Sequence, residues 1–181
     1  MPTVPYISDQ EIAERKVPAE LVAAIRARRP NGALLNLDRM LLNSPPIAQG
    51  WNVFLGAIRL DLTVSPNLRE LAICAVAKLN RAEYEWTQHA PLFLAAGANQ
   101  PQLDALMEID TAHLKRDVFN RAQIATLNLT REMTRNIDVT SASLAEIRAV
   151  LPNEQVVEIV SVIATYNMVS RFLVALGVGP E

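Results

Sequence analysis

Residues Leu68–Gly97 read LRELAICAVAKLNRAEYEWTQHAPLFLAAG. Leu68, Leu71, Ala72, Ala75, Val76 and Leu79 recur at the spacing of one helical face. Ser65-Pro66 ahead of them is a start signal, with Ser as N-cap and Pro in the first turn. Asn80-Arg81 ends this helix, and a second runs from Ala82 to Ala96 with Gly97 as a left-handed cap. Between them the two helices carry Glu70, Glu85 and His89 inside an otherwise apolar run. Ionisable groups are unfavourable in a core unless paired or neutralised, so a proton-handling site is the first expectation.

Helical punctuation continues on both sides. Pro18 opens a segment to Arg29, Asn31-Gly32 breaks it, and Ala33 to Asn43 reads as another helix. Ser44-Pro45-Pro46 starts one that runs to Asp61, and Pro101 starts a short one to Ile109. Phe119 to Thr134 is a long helix, Ser141 or Ser143 caps one to Val150, and Pro152 begins the last, to Leu176. That last helix is apolar around most of its circumference, which places it in the core or at a subunit interface. Gly is scarce, at 6 residues, and alternating strand-like runs are absent. The expected class is all-α, with about eight helices.

A length of 181 residues with ordinary composition is expected to form one domain over residues 1–181. The net charge of −2 carries no basic patch, which argues against nucleic acid as a partner. No stretch reads as an uninterrupted membrane helix, and MPTVPYISDQEIAERK lacks a basic-then-apolar leader. The single Cys74 forms no intrachain disulfide. These features give the expectation of a soluble cytoplasmic protein without a membrane partner.

Residues 82, 85 and 89 lie on one helical stripe, so Glu85 and His89 form an i, i+4 pair. The short Asn80-Arg81 connection should fold Glu70 back beside them. Two carboxylates near one imidazole supply an acid and a base near neutral pH. The plain alternative is a solvated Glu–His pair on a helix surface. Tyr84 and Trp86 flank the stripe, and Trp51 is a candidate to close a small-ligand pocket. Arg69 and Arg81 are candidates to hold a substrate carboxylate, with exposed surface cations as the alternative. Pro91 should kink or restart the helix just past His89. His113, in DTAHLKRD, reads as an exposed loop residue. Tyr166, Asn167 and Arg171 interrupt the last helix and fit either a pocket or an interface. One His with two carboxylates can bind a divalent ion, so a metal site of Glu70, Glu85 and His89 is a third and weaker alternative; without an HxxxH pair or a second nearby His, no metal is the expectation.

The same segment resembles the core motif of the carboxymuconolactone decarboxylase and alkylhydroperoxidase-like (AhpD-like) family. The peroxidase branch of that family has Glu, eleven residues, Cys-x-x-Cys, three residues and His. On that spacing Glu70 and His89 take the Glu and His positions, while Ala82 and Glu85 stand where the cysteines would be. The likeness extends through residues 68–73, His89-Ala90-Pro91-Leu92 and Ala96-Gly97, with a core motif over about residues 44–110. It implies an AhpD-like helical bundle assembled as a homotrimer or homohexamer. It also implies a lyase or isomerase that works without a cofactor on a small carboxylated or lactone-like substrate. In that reading His89, Glu70 and Glu85 are catalytic, and Tyr84, Trp86, Arg69 and Trp51 bind substrate. Dithiol peroxide reduction needs an attacking and a resolving sulfur, which both positions lack. The alternatives are a peroxidase acting through Cys74 alone and a non-catalytic small-ligand binder.

Overall fold

Ser65 and Asn99 illustrate how the helix starts are built. The Ser65 hydroxyl accepts the Leu68 N–H at 3.3 Å ahead of Pro66, and Asn99 forms a capping box with Gln102. Such caps satisfy N–H groups that the helix itself leaves unpaired and contribute about 1 kcal/mol each. The computed structural model describes residues 2–181, so Met1, where the N-terminal reading began, lies outside them. Among the described residues there are eleven α-helices and no strand, and two compact units.

The first unit comprises residues 2–61 and 173–181. It holds α1 (Asp9–Glu14), α2 (Ala19–Ala27), a 3-10 turn (Pro30–Gly32), α3 (Asn36–Leu41) and α4 (Pro45–Leu60). Its turn is fixed by a buried two-point ion pair. Arg29 Nε and Nη2 donate to the two Asp38 oxygens at 2.8 and 2.6 Å, and the Leu35 N–H adds a third bond at 2.9 Å. Asp38 thereby caps the start of α3 with its own charge neutralised.

The second unit spans Leu62–Phe172. It contains α5 (Pro66–Asn80), α6 (Glu83–Ala95), α7 (Gln100–Met107), α8 (Ile109–Ala112), α9 (Arg121–Asn136) and α10 (Ser141–Arg148). The last helix, α11 (Asn153–Leu176), belongs to this unit as far as Phe172. The central element is α5, which packs against α6 and α9, and every residue from Glu70 to Ala77 is buried. Small residues on it (Ala72, Cys74, Ala75, Ala77) let the neighbouring backbones approach closely. Glu158 of α11 accepts the N–H groups of Thr63 at 2.9 Å and Val64 at 2.7 Å, anchoring the start of α5.

Three details differ from the sequence reading. The short helices α1 and α8 raise the count, because a capping box at Ser8 and a single turn after Glu108 suffice without an apolar period. Pro91 lies inside a continuous α6 instead of restarting it. The 24-residue α11 is long and apolar enough by composition to cross a membrane, against the expectation that no segment is. Half of its apolar window is buried within the fold, and Thr165, Asn167 and Ser170 on it are buried and hydrogen-bonded.

Candidate active site

The αL conformation of Arg81 (φ 55°) turns the chain between α5 and α6 and lays the two helices together. This brings His89 of α6 onto Glu70 of α5. His89 Nδ1 lies 2.7 Å from Glu70 Oε2, and the two side chains are only 4% and 7% exposed. At that depth the contact needs a proton between the two atoms, and a carboxylate that accepts from Nδ1–H also fixes the ring's orientation. Arg69 Nε stands 3.5 Å from the other Glu70 oxygen, so the carboxylate faces a cation on each side when the imidazole is charged.

Helix α11 closes the site. The ring of Tyr166 meets His89 edge to face, with centroids 5.0 Å apart and planes at 86°. One turn on, the Ser170 hydroxyl lies 2.6 Å from Glu85 Oε2 and 2.8 Å from the Tyr166 carbonyl oxygen. Glu85 itself is 1% exposed. Two contacts therefore join α5, α6 and α11: Glu70–His89 against the Tyr166 ring, and Glu85–Ser170 against the Tyr166 backbone.

Cys74 lies next to this network, fully buried. Burial pushes its thiol well above the ordinary range, and the nearby Glu70 and Glu85 charges push it further. A thiolate is the reactive form of cysteine, so this thiol is disfavoured as a nucleophile. Among the described residues no group of three or more His, Cys, Asp or Glu side chains is arranged to hold a metal ion.

The candidate binding residues are distributed unevenly. Arg69 touches Glu70, as described. Tyr84 is buried, and half-buried Trp86 carries the Lys78 ammonium over its ring at 4.9 Å. Arg81 is exposed at the turn. Trp51 is half-buried on α4, in the first unit. An open cavity of about 390 Å³ lies between the start of α9 and α10, lined by Arg116, Phe119, Arg121 and Glu146 among others. It includes none of the residues of the proton network, and both arginines are exposed.

His113 departs from its reading as an exposed loop residue. It caps α8 half-buried, and its Nδ1 is buried with no hydrogen-bond partner. Burial and then the Arg131 charge lower its pKa, against a smaller opposing effect of Asp110. Asn167 bridges Asn80, Thr134 and Arg171 and so ties α5, α9 and α11 together. Ser170 went unread in the sequence. Its only signal was a polar residue four places after Tyr166 in an apolar helix.

Comparison with known proteins gives a consistent picture. Residues 45–128 match the model of the carboxymuconolactone decarboxylase family. No curated protein matches the sequence. Among solved structures, the chain is similar to an uncharacterized peroxidase-related protein from Ralstonia eutropha, described as an alkylhydroperoxidase AhpD core. The TM-score is 0.80 at 18% identity, over 99% of this chain and 92% of that one. A peroxidase-related protein from a Silicibacter species gives 0.68 at 17% identity, over 99% and 90%. The debrominase Bmp8, in complex with 2,3,4-tribromopyrrole, gives 0.77 at 16% identity, over 99% and 91%. At these identities the likeness is one of fold.

Proposed function

We propose, proceeding from the match of residues 45–128 to the carboxymuconolactone decarboxylase family, that the chain is a lyase or isomerase acting by proton transfer without a cofactor. The observation that carries this reading is the buried 2.7 Å contact between His89 Nδ1 and Glu70 Oε2. Glu70 orients the ring and stabilises its charged form, and Nε2 is the ring atom that exchanges a proton with substrate. Arg69, half-buried beside Glu70, holds a substrate carboxylate. Tyr84 and Trp86 supply the apolar walls.

For a carboxylated unsaturated lactone the steps balance without an added group. The bond from ring carbon to carboxylate breaks and CO₂ leaves. The electron pair delocalises into the conjugated lactone, and His89 protonates the resulting dienolate. Water then returns the proton to the imidazole. An isomerase would use the same residues to remove a proton at one carbon and deliver it at another.

The assay is CO₂ release, or proton exchange, over a panel of small carboxylated lactones. Wild type should turn over at least one of them, and His89→Ala should reduce the rate by about a hundredfold or more with helicity intact. Absence of turnover across the panel, or an unchanged His89→Ala rate, would overturn the reading. The peroxidase reading through Cys74 finds no support in that residue's burial.

We further propose a cyclic homo-oligomer, a trimer or hexamer. On α4, Ile47, Val53, Phe54 and Leu60 are exposed, Val53 and Leu60 by 70% and 73%. They follow helical spacing, and such continuous apolar stripes are uncommon on monomers. Sedimentation at micromolar concentration should give a trimeric or hexameric mass, and a clean monomer would sink the idea.

A further inference from the structure

Ile124, Ala125 and Asn128 follow Arg121 by three, four and seven positions, so the four share one face of α9. Helix α10 packs on α9, and Asn128 Nδ2 donates to Glu146 Oε2 of α10 at 2.8 Å. The segment ahead of α9 is folded by backbone bonds from the Val118 and Phe119 N–H groups to the Lys115 carbonyl, at 3.1 and 3.0 Å. The Val118 carbonyl in turn accepts from Gln102 Nε2 at 3.2 Å. These bonds fix Arg116 and Phe119 beside the α9 face. The result is the cavity of about 390 Å³ that none of the proton network lines.

Its lining has two parts. Phe119, Ile124 and Ala125 are apolar and buried. Arg116, Arg121 and Glu146 are charged and exposed. Among the described residues neither arginine takes part in an ion pair. Two guanidiniums against one carboxylate leave the cavity one positive charge in excess, and a concave surface with apolar walls concentrates that field on a counter-ion. The volume falls within the range of about 300–1,000 Å³ typical of small-molecule sites.

We propose that this cavity is a second binding site, for a small organic monoanion: a carboxylate carried on an apolar body. Arg116 and Arg121 take the carboxylate, which a guanidinium meets in two-point geometry. Phe119, Ile124 and Ala125 take the body, whose burial an inorganic anion would not supply. A single carboxylate also matches the single excess charge. The assignment is independent of the reaction proposed at His89.

Calorimetric titration of the full chain at neutral pH, with 2-naphthoate as the probe, tests it. Wild type should bind one naphthoate per chain through this cavity. Arg116→Gln and Arg121→Gln, both at exposed positions, should each weaken binding about tenfold, and His89→Ala should leave it unchanged. The uncharged 2-naphthamide and the bodiless inorganic phosphate should each bind at least about tenfold more weakly than naphthoate. No naphthoate binding, or binding unchanged in both arginine variants, overturns the site. Binding lost in His89→Ala but kept in the arginine variants places the probe in the proton network and also overturns it. Phosphate bound as tightly as naphthoate would mean an adventitious ion only, and naphthamide bound as tightly would remove the arginines from recognition. Either result contradicts the proposal.

Discussion

Two buried ion pairs, one in each unit, use the same physics to opposite ends. Arg29–Asp38 joins a guanidinium to a carboxylate through two short bonds, with a backbone N–H completing the carboxylate's shell. His89–Glu70 is equally short and equally buried, yet its cation is an imidazole. A guanidinium does not release its proton in a protein, so the first pair has one state and serves as a clamp on the turn before α3. An imidazole gains and loses its proton near neutral pH, so the second pair has two states and suits chemistry. Burial of a charge pair alone therefore does not mark a site. What marks one is a member able to change state, beside further groups able to exchange a proton.

The largest expected effects fall on the second pair. Glu70→Gln should cost turnover on the scale of His89→Ala, about a hundredfold or more, because a neutral amide oxygen can accept from Nδ1–H but carries no charge to stabilise the protonated ring. Its thermal stability should change far less than its rate. A variant that loses both together would erase the distinction between clamp and chemical pair.

The first pair should behave in reverse. Asp38→Ala leaves Arg29 buried without its partner and should cost about 3–5 kcal/mol in denaturant unfolding. The turnover of the fraction that remains folded should be unchanged. A cost below about 1 kcal/mol would place Arg29–Asp38 with ordinary surface pairs.

A third, half-buried carboxylate sharpens the contrast. Burial acts to raise the pKa of Glu158, but the N–H groups of Thr63 and Val64 and the Thr63 hydroxyl outweigh it and hold it below the ordinary 4.5. A depressed folded-state value means that the stabilisation is present above 4.5 and is lost as pH falls through the folded value. Glu158→Gln should therefore be less stable than wild type at neutral pH, and the two melting curves should converge in acid. Curves that run parallel at all pH values would show that the carboxylate charge has no part in anchoring α5.

The smallest effect is expected at Cys74. Buried and held as the thiol, it should resist alkylation and sulfenic-acid trapping in the folded protein, and Cys74→Ala should keep turnover. An adduct formed under native conditions and followed by mass would contradict its inertness.

The sequence made the all-α class legible because helix starts and stops are local. Ser65-Pro66, the break at Asn80-Arg81 and Gly97 act within a turn of the residues they terminate. Glu70 and His89 were legible because one short turn joins their helices. The α11 half of the site was not. Ser170 meets Glu85 across 85 positions in sequence, and a helix apolar nearly all round has no periodic phase to show which residues face inward. Pro91 does not restart the helix, because its missing N–H costs one bond, which a well-packed α6 tolerates. The lowered pKa of His113 was hidden as well, because part of it comes from the charge of Arg131 on α9, distant along the chain.

The central claim is that Glu70 holds a proton on Nδ1 of His89 in the buried pair. With only two histidines in the chain, nitrogen-15 labelling of histidine resolves both rings by NMR. The expected result is a protonated Nδ1 on His89 at neutral pH, hydrogen-bonded in wild type and weakened or lost in Glu70→Gln. A bare Nδ1, with the ring proton on Nε2 alone, would contradict the account.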